Sequence, residues 1–224
     1  MPKESILKPE IIVFAGPNGS GKSTVTKKLL PKDFIYVNPD EITKEKFKGD
    51  NLKGANEAER QREELLSNGK NFAFETVLSR ENKLEFLKKA KRLGYFIRCY
   101  YVLTCNSSIN VRRVNKRKEL GGHGVPEDKI IARHKRALDL VKELIPICDV
   151  IHIYDNSGNK PFRIFKKKKN EYFYDECEYW KLEDIMALTQ VKHMEEADLN
   201  SNSNLFDEQV SFKKRRFIKL VRKP

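Results

Sequence analysis

No stretch of this chain stays apolar long enough to cross a bilayer, and the opening MPKESILKPE has no apolar core of the kind a secretory leader carries. A cytoplasmic protein without a membrane partner is therefore expected. Cysteine is scarce, and Cys99, Cys105, Cys148 and Cys177 form no CxxC pair, which excludes a disulfide framework or a zinc finger. His123, His134, His152 and His193 likewise lack HExxH or similar ligand spacing, so no structural metal is expected. Acidic residues are in deficit. The formal net charge is +13, and most of the excess is local: from Lys88 to Arg136, seven lysines and seven arginines face only Glu119, Glu127 and Asp128. Such a field suits nucleic acid, and it equally suits a site that must hold polyphosphates. Charge alone does not choose between them.

What is present is the run AGPNGSGKST, from Ala15 to Thr24. Gly16, four further residues and then Gly21-Lys22-Ser23 match the Walker A spacing, and each position has a physical task. Glycine lets the backbone turn tightly and aim several N–H groups at phosphates. The Lys22 ammonium reaches the outer phosphates, and the Ser23 hydroxyl is placed for a magnesium ion that bridges them. Gly16, Pro17, Asn18, Gly19, Ser20, Gly21, Lys22, Ser23 and Thr24 are thus the expected nucleotide-binding residues, with ATP and magnesium as cofactors. A chance Gly/Ser/Asn turn would not be framed by IIVFA, which suits a buried parallel strand, and STVTKKLL, which suits the opening of a helix with an anion-favouring N-terminus.

Strand and helix patterns then alternate to about residue 165, which predicts a parallel α/β sheet covered on both faces. A strand at Phe34 to Val37 ends at Pro39-Asp40, and in such sheets ligands gather at the carboxyl ends of strands. Asp40 there is open to three readings: a base for an acceptor hydroxyl, a holder of magnesium-bound water, or a helix N-cap. A third strand, NFAFETVLS, ends in Glu75-Thr76, making Glu75 a second acidic candidate. Helices are expected over Asn56 to Ser67, Arg80 to Leu93, Ser107 to about Leu120, and from Pro126 to about Ile145. Gly121-Gly122-His123-Gly124 between the last two gives the form of a lid able to bring arginines to phosphates, although a solvated basic face is the usual meaning of such charge. Asp155-Asn156-Ser157-Gly158 after the fifth strand reads as a turn before it reads as a Walker B acid. From KKKK at residues 166–169 the composition changes to a C-terminal extension: a helix over Leu182 to Lys192, the polar linker ADLNSNSN and a basic end. The expected division is a kinase domain over 1–165 and an extension over 166–224.

Taken together, AGPNGSGKST, NPDEI, FETVLS, NVRRVNKR, GGHGVPEDKIIARH and YDNS resemble, in order and spacing, the zeta toxin family of P-loop kinases, in its short branch with a GGHxVP signature. The resemblance covers residues 10 to 165. It implies a nucleotide-kinase-like P-loop fold and transfer of phosphate from ATP, with magnesium, to a hydroxyl of a small acceptor such as a UDP-N-acetyl sugar. It further implies Lys22, Asp40 as base, and the lid arginines Arg113 and Arg133 as catalytic residues, with Asp40, Glu75, Thr76, Arg117 and His123 around the acceptor. A toxin role and a protein antitoxin belong to the same implication. A polynucleotide 5′-end kinase and a nucleotide-dependent switch or ATPase module stand as alternatives to it.

Overall fold

Ile11, Ile12, Val13, Phe14 and Ala15 are all fully buried, because the strand they form lies in the middle of the sheet with a helical layer on each face. The computed structural model describes residues 8–122 and 124–196. In chain order the strands are β1 Glu10–Ala15, β2 Ile35–Val37, β3 Phe72–Thr76, β4 Phe96–Leu103, β5 Val150–Asp155, β6 Phe162–Lys168, β7 Glu171–Tyr174 and β8 Glu195–Glu196. The helices are α1 Lys22–Leu29, α2 Pro39–Lys46, α3 Asn51–Ser67, α4 Asn82–Arg92, α5 Ser107–Glu119, α6 Glu127–Asp139, α7 Val141–Ile147 and α8 Leu182–Thr189. One sheet carries the strands in the order β2-β3-β1-β4-β5-β6-β7-β8.

The first five strands in that order are parallel, which brings the carboxyl ends of β1, β2, β3, β4 and β5 to one edge. Alternate residues divide the core. Ile11, Val13, Phe72, Phe74, Ile97, Cys99 and Tyr101 pack with Leu84 and Leu87 of α4 and Leu144 of α7, while Ile12, Phe14, Tyr100 and Tyr154 pack with Val25 and Leu29 of α1. On the α1 side, Phe14 stacks on Tyr100 at 5.5 Å and Tyr100 on His152 at 5.4 Å, each across one strand pairing. Such cross-strand contacts stabilise one register against its neighbours.

The sheet is mostly parallel as expected, and the structure departs from the expected details at four places. The sheet is not wholly parallel, since β6 runs antiparallel to β5 and β7 antiparallel to β6. The long helix expected from Pro126 is two helices broken at Leu140, with Pro146 inside the second. The division expected at residue 165 falls inside β6, and Ile164, Phe165, Trp180 and Ile185 belong to the same core as β1. The helix expected over Leu182 to Lys192 ends at Thr189, with Gln190 in the left-handed region. The polar linker and the basic end lie outside the described residues.

A chain truncated after Phe165 would leave the β5–β6 ladder half paired and uncover the apolar groups that Trp180 and Ile185 protect. Thermal unfolding followed by circular dichroism is expected to be cooperative in the full chain and to be lost, with aggregation, in that truncation.

Candidate active site

The phosphate loop leaves β1 with three glycines in the left-handed region, Gly16 at φ 139°, Gly19 at 76° and Gly21 at 94°. Each is also pressed against a different element. A Cβ on Gly16 would lie 1.9 Å from the Val102 carbonyl oxygen of β4, one on Gly19 would lie 2.6 Å from the Asn110 carbonyl oxygen of α5, and one on Gly21 would lie 2.2 Å from Asn156 Nδ2 after β5. No side chain fits at any of the three, so the loop is held in one shape by its neighbours as well as by its own turns.

Asparagines complete that hold. Asn110 is fully buried and donates from Nδ2 to the Asn18 carbonyl at 2.6 Å, while Asn156 donates to the Ser20 carbonyl at 2.8 Å. Asn110 Oδ1 accepts from the Thr104 hydroxyl, and the Thr104 carbonyl in turn accepts from His134 Nε2 at 3.0 Å, which fixes the imidazole tautomer. At the other flank, Gly16 N–H donates to the Thr76 carbonyl at 3.2 Å. Inside the loop the Ser20 hydroxyl is buried without a hydrogen-bond partner.

Lys22 opens α1, buried, and donates from Nζ to the Pro17 carbonyl at 3.2 Å. Its ammonium lies 3.7 Å from Glu75 Oε1 at the end of β3. Burial pushes the Lys22 pKa below the ordinary lysine value, and the carboxylates of Glu75 and Asp40 push back. The charge of Asp40, in the first turn of α2 just beyond β2, is thus felt at the loop lysine. Its N-cap reading is corrected: Asn38 is the cap, its side chain accepting from Asp40 N–H at 3.0 Å, and the Asp40 side chain stands exposed in the first turn of α2. Glu75 Oε2 accepts from the Tyr36 hydroxyl at 3.0 Å, a contact that no sequence signal announced.

On α5 the residues 110, 113 and 117 fall on one helical stripe. The charge of Arg117 is felt at Lys22, whereas Arg113 reaches the Gly158 carbonyl at 3.5 Å. Arg133 of α6 donates to Asn18 Oδ1 at 3.2 Å. Arg133 thus touches the loop and the charge of Arg117 reaches its lysine, whereas Arg113 is engaged at the turn after β5. The Thr76 hydroxyl accepts from Leu78 N–H at 3.1 Å and shapes the turn after β3, where buried Leu78 sits at φ 50°. Ser23 and Thr24 expose their hydroxyls on the first turn of α1. His123 lies outside the described residues. Asp155 is buried and accepts from the Ser157 hydroxyl and the Trp180 indole, which makes it the anchor of the turn that carries Asn156.

A cavity of about 700 Å³ also opens between α5 and α6, lined by Ser107, Val111, Arg112, Asn115, Glu127 and Ile131. It uses the α5 face turned away from the stripe of residues 110, 113 and 117. The Walker A loop lies at the strand ends, apart from this groove.

The family profile described as an AAA domain matches residues 11–144, more than half of the chain. The chain belongs to that AAA domain family. Its described fold is that of P-loop kinases. It is similar to the crystal structure of the AvrRxo1-ORF1:AvrRxo1-ORF2 complex, at 14% identity and a TM-score of 0.62, over 92% of this chain and 76% of that one. The structure of the PezAT chromosomal toxin-antitoxin system of Streptococcus pneumoniae aligns at 16% identity with a TM-score of 0.54, over 71% of this chain and 72% of that one. At such identities the likeness concerns the fold. An uncharacterized protein of Haemophilus influenzae is 27% identical over 134 residues, 58% of this chain and 95% of its own length. Among the described residues of this AAA domain no helix is long and apolar enough to cross a membrane, and no group of three His, Cys, Asp or Glu could cage a metal ion.

Two measurements check this construction. Asn156→Ala leaves the Ser20 carbonyl without its donor, and is expected to cost about 1–3 kcal/mol in denaturant unfolding and to weaken nucleotide binding, although Asn156 itself sits behind the loop. Burial also lowers the His134 pKa, so the fold holds this imidazole neutral. The unfolded chain then takes up the proton first as pH falls below about 6.5, and stability present above that pH declines with acidification. The melting temperature is expected to fall more steeply from pH 7 to 5.5 in the parent than in His134→Gln.

Proposed function

We propose that this protein is an ATP- and magnesium-dependent kinase of the zeta toxin type, transferring the γ-phosphoryl group of ATP to a hydroxyl of a small acceptor. The observation that carries the reading is the meeting of two halves at one ammonium. Lys22 belongs to a preformed loop of phosphate-directed N–H groups, and the carboxylates of Glu75 and Asp40 act on the same charge from the ends of two other strands.

In this reading the backbone of residues 16–21 and Lys22 hold the β- and γ-phosphates, and Asp40 accepts the proton of the attacking hydroxyl. The left-handed glycines, the unpartnered Ser20 hydroxyl in the loop and the exposed Ser23 hydroxyl suit a nucleotide with its magnesium ion, with Ser23 as the protein ligand. The metal would neutralise charge on the phosphate oxygens. Arg133 on Asn18 and Arg117 near Lys22 would stabilise the transferring group and the nucleotide, and Arg113 would join them by leaving the Gly158 carbonyl. Around Asp40 and Glu75 the surface accepts hydrogen bonds and repels anions, which favours an acceptor whose reacting end is neutral and hydroxyl-bearing. That supports a sugar such as the UDP-N-acetyl sugars, and the family resemblance adds Thr76 and His123 as acceptor-binding residues. The likeness to a toxin-antitoxin structure and to the AvrRxo1 complex, which has also been solved with ATP, supports a toxic role with a protein partner that neutralises it.

The test is incubation with labelled ATP, magnesium and a panel of UDP-sugars, nucleosides and oligonucleotides. Label is expected on a sugar nucleotide. Label on an oligonucleotide 5′ end would instead favour the polynucleotide reading that the basic stretch from Lys88 to Arg136 motivates, and label only in inorganic phosphate would overturn the kinase assignment. Asp40→Asn is expected to lower the transfer rate by about 10²–10⁴ while nucleotide affinity holds; unchanged transfer would remove Asp40 as the base.

A further inference from the structure

A buried ammonium and a buried carboxylate facing each other normally close to hydrogen-bond distance, since low polarity strengthens their attraction. Lys22 and Glu75 form only a long ion pair. Their side chains are 8% and 13% exposed, yet Nζ and Oε1 stand 3.7 Å apart. Something holds each of them back. For Lys22 it is the Pro17 carbonyl. For Glu75 it is Tyr36, whose hydroxyl donates to Oε2 at 3.0 Å.

Tyr36 is well built for this. It pairs with Ala73 in the β2–β3 register, which makes Glu75, two residues further on, its diagonal neighbour on the same face. The tyrosine packs with Phe34 and Leu30 against the α1 side of the core, so the phenol is fixed by its own packing. Asn38 Nδ2 donates to its oxygen at 3.3 Å, and the Thr26 hydroxyl lies beside it. Burial and the Glu75 charge push the phenol pKa far above its ordinary value, so the hydroxyl keeps its proton and remains a donor to the carboxylate.

We infer that Tyr36 is a positioning residue that holds Glu75 off Lys22, keeping the loop lysine available to nucleotide phosphates and one Glu75 oxygen available to the acceptor. The inference rests on the kinase reading for the acceptor, but its effect on the lysine concerns nucleotide binding alone. Without the Tyr36 hydroxyl, Glu75 closes from its long 3.7 Å ion pair to direct hydrogen bonding with Lys22, and an incoming phosphate must break that tighter pair before it can bind. Packing of the tyrosine ring by itself would have no such consequence.

Calorimetric titration of magnesium AMP-PNP into the parent, Tyr36→Phe, Glu75→Gln and the double variant, with thermal melts of each, decides the matter. Tyr36→Phe keeps the ring and is expected to weaken binding by about 5–10-fold, a coupling of ordinary size for neighbours in one network. Glu75→Gln is expected to bind at least as tightly as the parent, and adding Tyr36→Phe to it should change affinity by less than about two-fold. Unaltered binding by Tyr36→Phe, an equal loss in the Glu75→Gln background, or weaker binding by Glu75→Gln alone would each overturn the inference and leave the kinase reading standing. Absence of AMP-PNP binding in the parent would overturn the kinase reading, and the inference with it.

Discussion

The backbone of residues 16–21 must turn its N–H groups toward one point, and the rest of the cleft depends on that shape. Glycine permits the turn, but it does not impose it, because glycine is the residue with most freedom to lose. The imposition comes from outside the loop. Val102 of β4, Asn110 of α5 and Asn156 after β5 each stand where a side chain on one of the three glycines would be. Two asparagines then spend their amide donors on the carbonyls of Asn18 and Ser20, which turns those oxygens away from the phosphate side. Preformed donors cost little reorganisation when an anion arrives, which is the general advantage of such sites.

That dependence explains why residues remote from the loop matter to it. His134 on α6 reaches the loop through Thr104 and Asn110, and Trp180 reaches it through Asp155 and the turn bearing Asn156. The strands and helix beyond residue 165 therefore do more than extend the sheet. They seat the turn that closes one side of the phosphate site.

The donor half of the site was legible because its information is local: a motif of fixed spacing between an apolar strand and a helix start. The acidic half was legible because parallel strands all end at one edge, so Asp40 and Glu75 could be placed there without a structure. Tyr36, Asn110 and Asn156 were not, since their partners lie 39, 92 and 136 residues away and two of the three partners are backbone carbonyls, which leave no mark in a sequence. The lysine run at 166–169, where the composition changes, falls at the end of β6 and the turn after it. Lys167 is buried in β6, with its ammonium satisfied by the carbonyls of Ile145 and Cys148 at 2.8 Å, so a residue that reads as solvated is part of the core layer. The helix α3 begins at Asn51 rather than Asn56 because Asp50 caps it, accepting from the Leu52 and Lys53 N–H groups, while Gly54 leaves room for Thr43 of α2.

The account makes Lys22 the point at which donor and acceptor halves meet, with the loop on one side and two carboxylates on the other. The most direct measurement is a crystal structure of the complex with magnesium and AMP-PNP. It should show the γ-phosphate between Lys22 Nζ and the Asp40 carboxylate, the loop backbone unchanged, and Glu75 on the acceptor side still held by Tyr36. A nucleotide whose γ-phosphate points away from Asp40, or a loop that must refold to receive it, would contradict the account.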